Sequence, residues 1–385
     1  MHDVVVVGAG PVGATFALAL RHADLDIVVL DARAAGEAAR ADRSLALSHG
    51  ARLILERLGA WTPLAGTAGA VTPILTIDIS QARGFGGVEL TASEQGLPAL
   101  GYVVSYRALQ TALDAALARS GIDVRFGHEA QAVTGSVDRV SVEFASASRE
   151  PLDARLAVVA DGAAAAVRGI ARRRHEYGQT AIVGEVALDH PHRGIAYERF
   201  TAEGPVALLP ERDHYALVWT QAPAAAARAL AQSDAEFLAA LSTRFGSRVR
   251  GFAGVRARRA FPLTLEVARD TTAAHVAVIG NAAQALHPVA GQGFNLGLRD
   301  AFELATLVRE TPRDALGGPA MLARYRAARR FDRRAGIAFT HGLAQLFASD
   351  APAVRIPRGL GMMLLDSVPV AKRAFTRAML YGPRW

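Results

Sequence analysis

Four consecutive valines, Val4 to Val7, run straight into a glycine-rich turn. An unbroken apolar run of this length fits a strand covered on both faces, as in a parallel sheet. The Ala/Leu-rich stretch from Pro11 to about His22 then has helical composition, and Pro11 suits a first helical turn. Ile27–Leu30 is apolar again and reads as a second buried strand. The first 33 residues therefore predict one βαβ unit.

Beyond it the pattern alternates between short strands and helices. Strands are expected at Ile74–Ile79, Gly87–Leu90 and Gly101–Ser105, then a helix from about Arg107 to Ser120. Val124–Phe126, Val140–Phe144 and Leu156–Ala160 read as further strands of the first unit. From Thr180 to Leu263 the spacing suits a separate sheet, with strands Ala181–Ala187, Ile195–Phe200, Val206–Leu209 and Tyr215–Thr220 and one Ala-rich helix from about Pro223 to Arg244. Strand His275–Ile279 leads through a glycine-rich turn to a helix from about Asn295 to Arg309, and Arg/Leu-patterned helices follow. The expected class is α/β. Residues 1–73, 107–178 and 265–330 would form a discontinuous nucleotide-binding domain, 74–106 and 179–264 a β-sheet substrate domain, and 331–385 a C-terminal helical segment.

Two loops carry the candidate chemistry. Gly8-Ala9-Gly10-Pro11-Val12-Gly13 places GxGxxG between a strand and a helix, where glycines permit a tight turn and close approach of a diphosphate. Asp31 ends the second strand, where its carboxylate can accept the ribose hydroxyls of a dinucleotide. This motif alone does not separate FAD from NAD. The second loop does: Gly280 to Asp300 is rich in glycine and opens a helix whose free N–H groups suit the negative charge that a reduced flavin develops. Gly280, Asn281, Gly291, Gln292, Gly293, Phe294 and Asn295 are its expected cofactor contacts, with Gly293 expected to need glycine's dihedral freedom. His287 and Pro288 should lie beside the flavin ring as the catalytic candidates, His287 as a proton carrier or as an ordinary core or loop histidine.

Composition narrows the chemistry. The 385 residues are 51% apolar and contain no cysteine, which excludes disulfides, thiolate metal sites and any mechanism using a Cys pair. Redox work must come from a cofactor. The opening lacks a basic leader, and no run approaches the roughly 18 apolar residues of a spanning helix, so a cytoplasmic protein is expected. The net charge is +7 and Lys372 is the only lysine. Positive charge gathers after Ala351, where Arg355, Arg358, Lys372, Arg373, Arg377 and Arg384 face only Asp366. Such a tail suits an anionic membrane surface or an acidic partner, or is an ordinary solvated helix face.

The segment Gly280–Asp300 resembles the second FAD motif of the class A flavoprotein monooxygenases, with Asn281 where an Asp is common and Gln284 where a His is usual. Arg43–Ser48, Gly101–Arg107 and Tyr197-Glu198-Arg199-Phe200 resemble the ubiquinone-biosynthesis hydroxylases within that class, of the 2-polyprenyl-6-methoxyphenol hydroxylase type. Asp161-Gly162 resembles the class's middle motif, with Ala165 at a usual Ser. The resemblance implies a fold like that of p-hydroxybenzoate hydroxylase and non-covalent FAD, with Arg43 and Arg107 near its phosphate or ribityl groups and Asp161 and Gly162 at the cofactor. It also implies NAD(P)H as co-substrate, addition of O2 at flavin C4a as a hydroperoxide, and transfer of one oxygen to a polyprenyl phenol, with a biosynthetic complex or membrane surface as partner and no nucleic acid. A soluble phenolic substrate and a non-catalytic flavin-binding scaffold stand as alternatives. A halogenase is disfavoured, because its lysine has no candidate except Lys372.

Overall fold

A computed structural model describes the chain except for residues 38–42, 83, 287–290, 348–350 and 383–385 and the side chains of 340, 341, 344 and 345. Its first unit comprises β1 (His2–Val7), α1 (Pro11–Ala19), β2 (Ile27–Asp31), β3 (Ser44–Ser48), α2 (His49–Arg57), α3 (Trp61–Gly66) and β4 (Val71–Ile74). Next come β5 (Thr76–Gln81), β6 (Gly87–Thr91), β7 (Gly101–Ser105), α4 (Tyr106–Ser120), β8 (Asp123–Phe126), β9 (Ala130–Gly135), β10 (Val140–Phe144), β11 (Leu152–Val159) and β12 (Ala166–Val167). The second half holds β13 (Arg172–Leu188), β14 (Ile195–Thr201), β15 (Gly204–Glu211), β16 (His214–Gln221), α5 (Pro223–Ala231), α6 (Asp234–Phe245) and β17 (Phe252–Ala268). It closes with β18 (Thr272–Ala273), β19 (Val276–Val278), β20 (Gln284–Ala285), α7 (Gln292–Glu310), α8 (Pro319–Phe347), α9 (Pro352–Ser367) and α10 (Pro369–Tyr381).

The valine run behaves as its pattern requires. β1 lies between β2 and β11, parallel to both, in a nine-stranded sheet. Val4 and Val6 enter the core beneath α1, α4 and α7, whereas Val5 and Val7 enter the core on the opposite face. A strand wetted on either face would have needed polar residues at alternate positions.

A second sheet of eight strands runs β20-β17-β13-β16-β15-β14-β5-β6. Its outer face is covered by α5 and α6 around Trp219, Phe237 and Phe245. Its inner face meets the first unit through Ile74, Val103 and Ala196, and meets α8–α10 through Phe200, Phe347 and Met362. The Phe200 and Phe347 rings stack at 3.8 Å.

Several expected elements differ. α1 ends at Ala19, three residues before His22, and α7 starts at Gln292 instead of Asn295. The single Ala-rich helix is two helices, because Ser233 and Glu236 form a reciprocal capping box that starts α6 afresh. Strand β7, grouped in sequence with the substrate sheet, pairs instead with β3 and β4 in a separate three-stranded sheet. β13 begins at Arg172, before the expected boundary at 178, and β17 was not foreseen at all. These two 17-residue strands pair antiparallel from Arg172↔Ala268 to Leu188↔Phe252. β20 adds a third strand at their end through Glu266↔Ala285 and Val267↔Gln284.

Candidate active site

The first glycine loop is shaped by three different needs. Gly8 has φ +99°, and a Cβ there would stand 2.8 Å from Asp161 Cα. Gly13 allows α1 to close on the loop, since its Cβ would approach the Gly8 carbonyl oxygen to 1.9 Å. At Gly10 an added Cβ meets nothing within 4 Å, so this side of the loop is open. Gly10 also caps α1 without any side-chain hydrogen bond, and no acidic residue lies in the first turn. The helix end thus presents backbone donors and its positive dipole beside the open face, an arrangement that fits a diphosphate.

Asp31 is buried and secures that loop. Its Oδ2 accepts from Ala9 N–H at 2.7 Å, and its Oδ1 accepts from Arg33 N–H at 2.8 Å and Arg33 Nε at 3.0 Å. A carboxylate offers about four acceptor sites, so three bonds leave one for a ribose hydroxyl. From α4, Gln110 Nε2 donates to Ala9 O at 2.9 Å, and Arg33 also reaches Asp114. Gln110, Arg33 and Asp114 escaped sequence reading because nothing local marks a helix residue that will brace a distant loop. Arg43 and Arg107 are exposed at the start of α4, the former with its guanidinium over the Tyr106 ring at 4.8 Å.

Asp161 turns its carboxylate back on its own chain, accepting from Ala163 and Ala165 N–H at 2.8 and 2.6 Å. It braces the turn against Gly8. Gly162 has φ +77° and open space at its Cβ position. Ala165 is buried in the second core, a place where the usual Ser would carry a hydroxyl into apolar surroundings.

The second loop meets the first across Val12. A Cβ on Gly280 would lie 3.0 Å from Val12 Cγ1, and one on Gly297 would lie 3.1 Å from Val12 Cγ2 and 3.0 Å from Gly280 Cα. Both loops can therefore hold one extended dinucleotide. Asn295 is buried and staples the site: its Nδ2 donates to Ala46 O and Gly291 O, and its Oδ1 accepts from Ser48 N–H. Its side chain thus fixes the loop that would receive a flavin. Gly291 has φ +58°, whereas Gly293 has no positive φ and only ordinary contact, 3.6 Å from Leu286. The expected dihedral requirement at Gly293 is thereby corrected; it sits in the first turn of α7, and Gly291 absorbs the strained conformation. Phe294 packs on the first core, Asn281 is exposed, and Gln292 reaches Met379 Sδ of α10. His287 and Pro288 lie outside the described residues.

Behind this loop is a buried charged brace. Gln284 Nε2 donates to Asp300 Oδ2, while Arg329 pairs with Asp300 at 2.7 Å, Glu303 at 2.6 Å and Asp332 at 2.7 Å. Arg333 donates to Gln284 Oε1 and to Ala268 O.

Opposite the cofactor-binding unit, the inner face of the eight-stranded sheet supplies a wall. On β14 the side chains of Ala196, Glu198 and Phe200 turn inward, and Tyr197 and Arg199 turn outward to Phe245 and the Arg244 carbonyl. Sequence reading marked the Tyr197–Phe200 segment but gave Glu198 no role. A carboxylate in the inward phase of an alternating strand was the available signal. Burial alone pushes its carboxyl up to about 7.

Fold and site together define a flavin-dependent oxidoreductase: two glycine loops that fit opposite ends of one dinucleotide, beside an eight-stranded sheet. Residues 1–338 match the FAD binding domain family. The chain is 34% identical over 388 residues to a ubiquinone hydroxylase, UbiL, of Rhodospirillum rubrum, covering 97% of this chain and 88% of the relative. It is 30% identical to 3-demethoxyubiquinol 3-hydroxylase of Escherichia coli, covering 96% of each. Among solved structures, p-nitrophenol 4-monooxygenase PnpA of Pseudomonas putida superposes with a TM-score of 0.76 at 19% identity, over 100% of this chain and 99% of that one. This chain belongs to the class A FAD-dependent monooxygenases, in the ubiquinone-biosynthesis hydroxylase family. When bound, FAD would supply the exchange of electrons with NAD(P)H and O2, with the two glycine loops and the Asp31 and Asn295 side chains as the groups that would hold and orient it.

Proposed function

We propose that this protein hydroxylates the ring of a polyprenylated phenol on the route to ubiquinone, using NAD(P)H and O2. The observation that carries this reading is the wall facing the flavin-binding unit. Around Glu198 it is made of Ala196, Phe200, Ala207 and Ile79, an apolar surface with one proton-accepting group. Such a surface favours a greasy ring with a weakly acidic hydroxyl over a charged metabolite. The two relatives, a ubiquinone hydroxylase and a 3-demethoxyubiquinol 3-hydroxylase, support the same substrate class. Ser44 Oγ, donating to Glu211 Oε2 at 2.6 Å, ties the start of β3 to the wall.

A polyprenyl phenol lives in a bilayer, and no helix among the described residues is long and apolar enough to cross one. The reading therefore includes docking at a membrane surface. Ile356, Leu360, Met363 and Leu364 are exposed on one side of α9, Val370 is exposed at the start of α10, and Arg373 and Arg377 are exposed nearby. Apolar side chains beside cations suit an anionic lipid interface. The test of function is product analysis: FAD-loaded protein, NAD(P)H and a vesicle-borne prenylated methoxyphenol should yield a ring product heavier by one oxygen. Turnover of small soluble phenols with none of the lipidic one would replace this reading by hydroxylation of a soluble metabolite.

A further inference from the structure

We propose that Glu198 is the catalytic base of this site, accepting the proton of the substrate's phenolic hydroxyl and so preparing the ring for oxygen transfer. The assignment rests on the phenol-hydroxylase reading above and names the residue that would serve it.

The argument begins with strand phase. Ala196 packs on Ile74 and Val103 of the first unit, and Phe200 stacks on Phe347 of α8. Glu198 lies between these anchors, one pleat period from each, roughly 6.6 Å along the strand. Its cross-strand partners are Ala207 on β15 and Ile79 on β5. Glu198 is half-buried, so its side chain stays accessible to a molecule at this face. Among the described residues no hydrogen bond or ion pair reaches its carboxylate. Charge does occur at either end of this face. Arg358 reaches the Phe200 end, held by Gln81 Oε1 and Leu346 O over the Phe347 ring, and Glu211, His214 and Glu185 occupy the far end.

An unpartnered carboxylate partly withdrawn from water costs stability, and such groups gather where chemistry uses them. A carboxyl lifted to about 7 is also matched to proton transfer near neutral pH, where an ordinary carboxylate is too weak a base. In the step proposed, the phenol O–H bond breaks, its proton forms a carboxyl O–H on Glu198, and the electron pair stays on the phenolate oxygen. No electron leaves the pair of reactants. The phenolate's greater electron density then makes the ring a better target for electrophilic oxygen.

The test uses the full-length FAD-loaded protein, wild type and Glu198→Gln, with 2-methoxyphenol as probe. Without NAD(P)H, affinity for the neutral probe should rise with pH through about 7 in the wild type, because only the ionised carboxylate accepts strongly from the phenolic hydroxyl, and should be independent of pH in Glu198→Gln. With NAD(P)H, wild-type product formation should rise with pH through a limb near 7. Glu198→Gln should lose that limb and fall on the order of 100-fold in kcat, with flavin content unchanged. Turnover in Glu198→Gln within about twofold of wild type and with the same pH limb would overturn the assignment. So would a wild-type probe affinity that does not change with pH through that limb. A wild type whose probe affinity follows Glu198 but that never oxygenates any phenol would support the base and sink the hydroxylase reading, so the two failures are separable.

Discussion

A β-carbon at position 13 would stand 1.9 Å from the carbonyl oxygen of Gly8, a separation that no packing adjustment short of moving α1 can relieve. Gly13→Ala should therefore push the helix off the loop. Overpacking of this kind costs about 1–3 kcal/mol. FAD affinity should fall roughly ten- to a hundredfold, read from flavin absorbance per protein after dialysis.

Gly10→Ala makes the opposite prediction from the same loop. Its Cβ enters open space, so thermal stability without FAD should stay within about 0.5 kcal/mol of wild type, as for a harmless substitution. FAD retention should nonetheless drop, because the methyl group occupies the face a diphosphate would use. Unchanged retention would move the diphosphate elsewhere.

Arg329→Met should be among the most damaging single changes. It leaves Asp300 and Asp332, both nearly inaccessible, without their shared cation, and breaking such a buried pair costs about 3–5 kcal/mol. Because Asp300 also holds Gln284 at the base of the flavin loop, Tm and flavin content should fall together.

His214 should make stability depend on pH. Ion pairing with Glu211 first, opposed by burial and helped by Asp213 and Glu185, raises its pKa above the ordinary 6.5. A raised folded-state value means that the contribution is complete below 6.5 and is lost as pH climbs through the raised value. Wild-type Tm should therefore decline over that window, and His214→Gln should flatten the decline. An unchanged slope in the variant would assign the effect to another group.

The tail divides its positive charge. Arg358 is buried against Gln81 and fastens α9 to the sheet, while Lys372 pairs with Glu94 and Asp366 at 3.0 and 3.1 Å and fastens α10 to α9 and to the turn after β6. Arg373 and Arg377 are exposed, and Arg384 lies outside the described residues. Leu364→Asp with Val370→Asp should weaken binding to anionic vesicles and lipidic turnover at least tenfold while sparing soluble-phenol turnover. Raising salt should do the same more weakly, through screening of the arginines. Vesicle binding indifferent to both would leave α9 as scaffold alone.

Much of the cofactor unit was legible in sequence because its demands are local. A valine run, three glycines and an acid at fixed spacing leave few other structures. What was missed depends on remote partners. Most of β17 is only half-buried and rich in arginine, so it lacks the apolar alternation of a sheet interior, and only its pairing with β13 reveals it. Strand β7 was recognised, but nothing within it says that β3 and β4 are its neighbours. The break between α5 and α6 was readable, since Ser233 and Glu236 have capping-box spacing, but alanine content masked it. For Glu198 the phase was visible and the covering of that face was not.

The paired strands β13 and β17 run roughly 55 Å at about 3.3 Å per residue. Because β20 pairs with β17 just before the second glycine loop, that loop and the eight-stranded sheet share one hydrogen-bonded ladder. A hinge between the two would have to tear that ladder, so substrate entry and product release should fall to loops and side chains around the paired strands. Motions of that kind belong to the nanosecond-to-microsecond range of loop rearrangement, faster than the swing of whole domains.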